Sequence, residues 1–409
     1  MKATVQSLQW QTIAPAPAAD RPQAHAALSK SAPLKRFITA AVTAGDPILL
    51  LLNDPHRPTQ TRAVLSELAR WLVRDDAAPR FRAIVATGTH RSDPRERAWF
   101  EQATFGGCGL EIADVTWHDA RDAQSHVDIG GLRMHRRLGE HRFLLPVGSV
   151  EPHYFAGLTG PHKTVTIGCL SFADIEHHHA AALSLAADIL KLEENPIHRG
   201  IVAMLNALKV AGKTIVGIGQ IVRAGSVVET AAGDPVEILD ALFPTVRRIY
   251  QRGIAEPADL VYLRVPLPLG RSFYQADKAL KNNEWAVRDG GGIILEAACP
   301  DGIGDDAFLS LLRRACGHTE AGQIVARRGY RLGDHKAVRL WRLIDPLERG
   351  VRVAVVSPNL AQADLAETPL RAFQDAGVAW TWMKTEVSGP FERGLMIEDA
   401  GMLTVCASR

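Results

Sequence analysis

The run PILLLLND at positions 47–54 constrains this chain most. It carries consecutive apolar residues with no polar alternation and stops at Asn-Asp. A strand with such a pattern is buried on both faces, as in a parallel sheet covered by helices. PTQTRAVLSELARWLV (58–73) follows, with apolar residues at helical spacing and Pro near the first turn, and then FRAIVATGTH (81–90), a second buried strand ending in a Gly turn. Strand, helix, strand in this order predicts a parallel sheet that binds ligands at the C-terminal ends of its strands. Asp54–Arg57 and Thr89–Arg91 both fall at such ends.

The alternation continues. HRFLLPVGSV (141–150) reads as a further strand, AALSLAADILKLEEN and IVAMLNAL as helix, and KTIVGIGQIVRAGSVVETAAGD (213–234) as strand, turn, strand. A second series has strands at 258–266, 291–299 and 351–358, with helices at 274–289 and in RAFQDAG. Residues 1–35, rich in Ala, Pro and Gln, read as a loosely ordered lead-in. The expected architecture is α/β: two α/β domains with mainly parallel sheets, 1–250 and 251–409, the chain dividing near 245–257 where Pro257 stands. A length of 409 residues agrees, being too long for one ordinary core.

Composition excludes several classes. A net charge of +2 gives no reason to expect nucleic acid or an anionic membrane as partner. No window approaches eighteen uncharged apolar residues, so no membrane span is expected, and the N-terminus lacks the apolar core of a secretory signal. The five cysteines form no CxxC, which suggests free thiols in a reduced cytoplasm.

Chemistry concentrates in EPHYFAGLTGPHKTVTIGCLSFADIEHHHA (151–180). His153 alone, flanked by aromatics, is more often a packed core residue; beside a second loop histidine such as His90 it becomes a candidate acid/base. Lys163 follows a Gly-containing turn, but GxxxxGK[ST] is absent, leaving a lysine that bonds covalently to a carbonyl-type group. Of His177, His178 and His179, only one or two can point the same way on a helix, and one of them as a metal ligand competes with a solvated run. Arg57, Gln275 and Lys278 have the donors to hold a carboxylate, although surface solvation explains each one taken singly. HExxH, GxSxG and a strand-borne GxGxxG are all absent.

Taken together these pieces resemble the nickel-pincer lactate racemase family and its 2-hydroxyacid racemase and epimerase homologues, over roughly residues 45–345. DPHRP matches the family's Asp-x-Thr-Arg-Pro loop through Asp54, Arg57 and Pro58. GTHR supplies His90, PHYFAGLTGPHK supplies His153 and Lys163, His179 lies sixteen residues after the lysine, Q-x-x-K is Gln275 and Lys278, and GGIILEAACPDGIG matches a later block.

The resemblance implies a racemase or epimerase of a 2-hydroxy acid. Lys163 would carry a nickel-pincer nucleotide through a thioamide, and His179 would complete a square-planar nickel site. His90 and His153 would be the two acid/bases of a reversible hydride transfer. Asp54 and Arg57 would contact the cofactor, and Arg57, Gln275 and Lys278 the substrate carboxylate, in a cleft between the domains. It also implies cofactor-maturation enzymes as partners, a small 2-hydroxy acid as substrate and a homodimer as one open assembly. Departures fall at His56, where Thr is usual, at Pro161 and His162 before the lysine, and at Gly270 and Arg271; these point to a larger or more polar acid than lactate. The competing readings are a His-ligated metal-dependent hydrolase or lyase without the pincer, and a binder that has lost turnover.

Overall fold

The apolar run at 47–54 becomes the strand Ile48–Asn53, whose first five residues are fully buried. It lies parallel to Phe81–Ala86 on one side and to Phe143–Ser149 on the other. This computed structural model describes residues 8–15, 26–75, 77–304, 307–389 and 391–407. They divide into two compact units. One takes the described residues of 17–181 and 186–247, the other those of 1–16, 182–185 and 248–409.

In the first unit the strand order is Ser226–Gly233, Gly217–Arg223, Phe143–Ser149, Ile48–Asn53, Phe81–Ala86, Ile112–Trp117, with Thr214–Ile215 also on Phe143–Ser149. Within this sheet all pairings are parallel except the hairpin 217–233, which turns at Ala224-Gly225 with positive φ at both residues. The helix Thr61–Arg74 buries Val64, Leu65, Leu68, Trp71 and Leu72 against the sheet, the spacing of one apolar face. Pro58 stands three residues ahead of it rather than in its first turn. The helix Ala32–Ala44, capped by Ser31, packs Phe37 edge-on to Phe143.

In the second unit six parallel strands run in the order Gln9–Ile13, Arg393–Ile397, Ala258–Val265, Val287–Ala297, Arg352–Val356, Arg371–Phe373. Alternate residues feed two cores, as strand geometry requires. Val261, Leu263, Ile293, Leu295, Val353 and Val355 meet the helices at 307–344, whereas Leu260, Ile294 and Ala354 meet Trp380 and Met383 of Ala376–Glu386. The fold is thus mixed α/β with mainly parallel sheets, as the alternation predicts. No helix among the described residues is long and apolar enough to cross a membrane.

Four local expectations are corrected. Within 1–35, Gln9–Ile13 is an ordered edge strand and Ala26–Lys30 a helix, while residues 1–7 and 16–25 lie outside the described residues. The segment 180–195 holds only a 3₁₀ turn, Ala180–Leu183; the buried Asn195 amide donates to the carbonyls of Phe155, Asp188 and Lys191 and fixes an irregular path. The helix at 274–289 is broken at Asp277 into Phe273–Ala276 and Lys278–Asn282 and ends at buried Asn283, whose side-chain amide donates to Ala400 and Leu403; Glu284–Ala286 is a 3₁₀ turn and Val287 begins a strand. In RAFQDAG, Arg371–Phe373 is an edge strand, and the helix starts only after Asp375, whose carboxylate accepts from Gly377 and Val378 N–H.

Candidate active site

Three neighbouring parallel strands deliver the site from their C-terminal ends. Ile48–Asn53 leads into Asp54 and Arg57, Phe81–Ala86 into His90, and Phe143–Ser149 into Glu151 and His153. Going along the chain, the second and third strands lie to one side of Ile48–Asn53 and the fourth to the other. The order therefore reverses between Ile48–Asn53 and Phe143–Ser149, the kind of switch point where open α/β sheets bind ligands.

Asp54 is buried and its Oδ2 lies 2.8 Å from His90 Nδ1, while its Oδ1 accepts from His56 N–H. Burial would raise its pKa, but the His90 charge and hydrogen bond, with His56 and Arg57, outweigh it and hold the carboxyl below its ordinary value. An ionised Asp54 fixes His90 with its proton on Nδ1 and leaves Nε2 as the nitrogen that meets a reacting group. The His56 ring stands edge-on to His90 at 5.0 Å. Gly88, at φ +57°, turns this loop so that its N–H reaches Gly168 O at 3.0 Å, just beyond the lysine helix.

Arg57 donates from Nη1 to Glu151 Oε1 at 2.9 Å, and Ser149 Oγ donates to the same oxygen. Glu151 is 5% exposed, so one edge of the guanidinium is held by a desolvated carboxylate. Sequence reading passes over Glu151; its signal is an acid immediately before Pro-His.

Lys163 sits on the short helix Pro161–Val165, half-buried, with Nζ 3.0 Å from His153 Nε2 and 5.4 Å from the Phe155 ring centre. The backbone N–H of Ala156 donates to His153 Nδ1 at 3.3 Å, so Nε2 is the nitrogen that faces the amine. Phe155 is edge-on to His153 at 4.5 Å and to His179 at 5.1 Å. One aromatic ring thus gathers Lys163, His153 and His179. Burial, then His178 and Lys163, push the His179 imidazole well below its ordinary pKa, despite a hydrogen bond to the Ile175 backbone. It is a neutral nitrogen donor at neutral pH. Of the rest of the triplet, His177 is exposed, whereas His178 stays beside His179, with their Nδ1 atoms 3.3 Å apart, and its Nε2 lies 3.0 Å from Ile197 O.

His162 is fully buried, and neither ring nitrogen finds a partner among the described residues. Burial, His198 and Lys163 keep it neutral. Leucine fills a similar shape without the unpaired polar atoms, whose burial costs about 1–3 kcal/mol. His162→Leu should therefore raise the thermal midpoint in calorimetry; a lowered midpoint would mean the imidazole is satisfied.

Gln275 and Lys278 are both half-buried in the other unit, on the two short helices that meet at Asp277, rather than on one continuous helical face. Arg271 there is exposed and paired with Asp301 at 2.8 Å. Gly270 is required by packing, since a Cβ would collide with the Val265 carbonyl.

The model of the lactate racemase N-terminal domain matches residues 4–189, and that of the lactate racemase C-terminal domain residues 256–330, together more than half of the chain. The chain belongs to the lactate racemase family. Among curated relatives it is similar to the lactate racemase of Thermoanaerobacterium thermosaccharolyticum, 29% identical over 270 residues, and to that of Lactiplantibacillus plantarum, 26% identical over 269. Each match takes in 64% of this chain and spans 62% of the relative's length.

The fold is that of the lactate racemase apoprotein from Thermoanaerobacterium thermosaccharolyticum: TM-score 0.82 at 23% identity, over 99% of this chain and 96% of that one. A protein from Thermotoga maritima follows at TM-score 0.66 and 16% identity, over 92% and 99%. Both lactate racemase domain models fall on the residues discussed above: the first spans Asp54, His90, His153, Lys163 and His179, the second Gln275 and Lys278.

Proposed function

We propose that this chain is a racemase or epimerase of a 2-hydroxy acid, working with a nickel-pincer nucleotide attached to Lys163. The observation that carries the reading is the gathering of Lys163 Nζ, His153 Nε2 and the neutral His179 around Phe155. An amine that is to be acylated must give up its proton, and His153 stands at hydrogen-bonding distance to manage that. His179 offers a soft-to-borderline imidazole donor of the type nickel accepts. The residues present therefore fit the group. When bound, the nucleotide would supply the acceptor for hydride from the substrate's α-carbon.

The chain's own part is proton handling and positioning. The α-hydrogen of an ionised 2-hydroxy acid is very weakly acidic, so oxidation to a 2-keto acid and return to the other face is the easier route. The hydroxyl proton must leave as hydride does, and a general base is needed for each enantiomer. We assign these roles to His90, steadied by Asp54, and to His153. Arg57, held by Glu151, keeps its outer nitrogens for the carboxylate; Gln275 and Lys278 are assigned to the same group on their motif alone. His56 beside His90 extends the polar surface and favours an acid more polar than lactate. Maturation enzymes and a cytoplasmic setting belong to the same reading.

A zinc hydrolase or lyase would need three protein donors around one ion. Among the described residues no group of three or more His, Cys, Asp or Glu is so arranged, which weighs against the alternative.

The deciding experiment is intact-mass and nickel analysis of protein made together with the maturation enzymes. A nucleotide-sized adduct located on Lys163, with nickel near one per chain, is expected. Racemase activity in protein whose Lys163 peptide carries no adduct would refute the assignment. A panel of 2-hydroxy acids followed by chiral chromatography would then fix the substrate.

A further inference from the structure

Asn53 closes the strand before Asp54, and Thr164 follows Lys163. Their side chains meet: Asn53 Nδ2 donates to Thr164 Oγ1 at 3.0 Å. The rest of the network fixes this orientation. Thr59 Oγ1 donates to Asn53 Oδ1 at 2.8 Å, and Ser149 N–H donates to the same oxygen at 3.1 Å, so the Asn53 oxygen must face them. The Thr164 hydroxyl in turn donates to Gly160 O at 3.2 Å, which leaves its lone pair for the Asn53 amide. Thr164 is 3% exposed. Gly148, on the strand beside Asn53, leaves just enough room: a Cβ there would lie 2.7 Å from Thr164 Oγ1 and 3.2 Å from Asn53 Oδ1.

We infer that Asn53 and Thr164 are a positioning pair that sets where Lys163 stands relative to the Asp54–His90 pair. The inference rests on the function proposed above. Asn53 ties the ends of Ile48–Asn53 and Phe143–Ser149 to the first turn of the Lys163 helix, at the point where the strand order reverses. Neither side chain reaches a reacting atom. Their effect passes through the backbone of the residues next to them, Asp54 and Lys163.

Thr164→Val removes the hydroxyl at nearly constant volume, and Thr164→Ser restores it. Asn53→Asp keeps the acceptor and loses the donor. In enzyme loaded with cofactor, Thr164→Val and Asn53→Asp should lower kcat by about 10–100-fold, the scale of an ångström-sized misplacement. KM should stay close to the parent value and Lys163 should remain fully modified; Thr164→Ser should recover most of kcat.

A second arm needs no turnover. In cofactor-free protein, acetylation of Lys163 by acetic anhydride is followed against pH by peptide mass spectrometry. The Thr164→Val and Asn53→Asp profiles should move away from the parent's, and Thr164→Ser should overlay it. If the parent carries no Lys163 adduct and racemises nothing, the proposed function fails, while the acetylation arm still decides on the pair. Parent-like acetylation profiles in both Thr164→Val and Asn53→Asp, whatever their melting temperatures, overturn the inference.

Discussion

Lys163→Met should fold like the parent and show no measurable turnover. Methionine matches the lysine stem in length and keeps the contact with Phe155, so the packing of the half-buried side chain survives. What disappears is the amine that stands 3.0 Å from His153 Nε2. On the function proposed above, the cofactor would then have no point of attachment and the rate enhancement would be lost with it; enzymatic enhancements are commonly ~10⁶-fold or more. Lys163→Arg is the stricter control. It retains a cation over Phe155 but presents a guanidinium that stays protonated and does not form the same bond. Both variants should lose activity while their melting curves stay near the parent's. An arginine variant that keeps activity within tenfold would leave Lys163 as a simple charge and remove the covalent step from the reading.

Acid should unfold the protein well before its carboxylates titrate as a class. Several histidines are buried in neutral form. His118, buried first of all and then flanked by His126 and His135, is held at about 3; His178, buried despite its hydrogen bond to Ile197, is held at about 4. Burial and the neighbouring His126 also bring His135 to about 4. In the unfolded chain each titrates near its ordinary value of about 6.5. Between that value and the folded one the unfolded state binds more protons, so stability rises with pH through this window and falls as pH drops.

For His178 alone a displacement of this size corresponds to about 3 kcal/mol by pH 4. Two or three such groups rival a typical total stability of about 5–15 kcal/mol. Asp54, held below its ordinary value, adds a loss in the same direction at lower pH still. Thermal midpoints measured from pH 7.5 down to 4 should be level near neutrality and drop steeply below about 6.5. A flat profile across that interval would show that these imidazoles already carry protons when folded.

The His118–His126–His135 group is a feature that no motif announces. His118 Nε2 lies 3.2 Å from His126 Nε2, and the His135 ring stands 6.0 and 6.3 Å from theirs. Seventeen positions separate the first of these histidines from the last, and only the hairpin His126–Ile129 with Leu132–His135 brings them back together. The pH response is therefore a property of the folded chain, although histidines supply it.

Much of the candidate site was legible in the sequence because it sits where a repeating pattern ends. An uninterrupted apolar run such as 48–52 has to be a buried parallel strand, and the residues just past its end have to face the ligand edge of the sheet. Asp54, His90 and His153 were found in this way, whereas the short helix Pro161–Val165 that carries Lys163 was read only as a Gly-containing turn. The sequence alone thus determined the α/β class, the three strand ends and the identity of the chemical groups. Partnerships were decided only by tertiary structure. That Asp54 bonds His90, that Glu151 holds Arg57, that Asn53 reaches Thr164 111 positions away, and that 274–289 breaks at Asp277 and Asn283, all depend on which side chains meet after the strands take their order. Local pattern sets a residue's environment through the backbone hydrogen bonds and apolar burial of its own segment. A polar pair, by contrast, is chosen by the distance between segments, and that distance exists only once the sheet has formed.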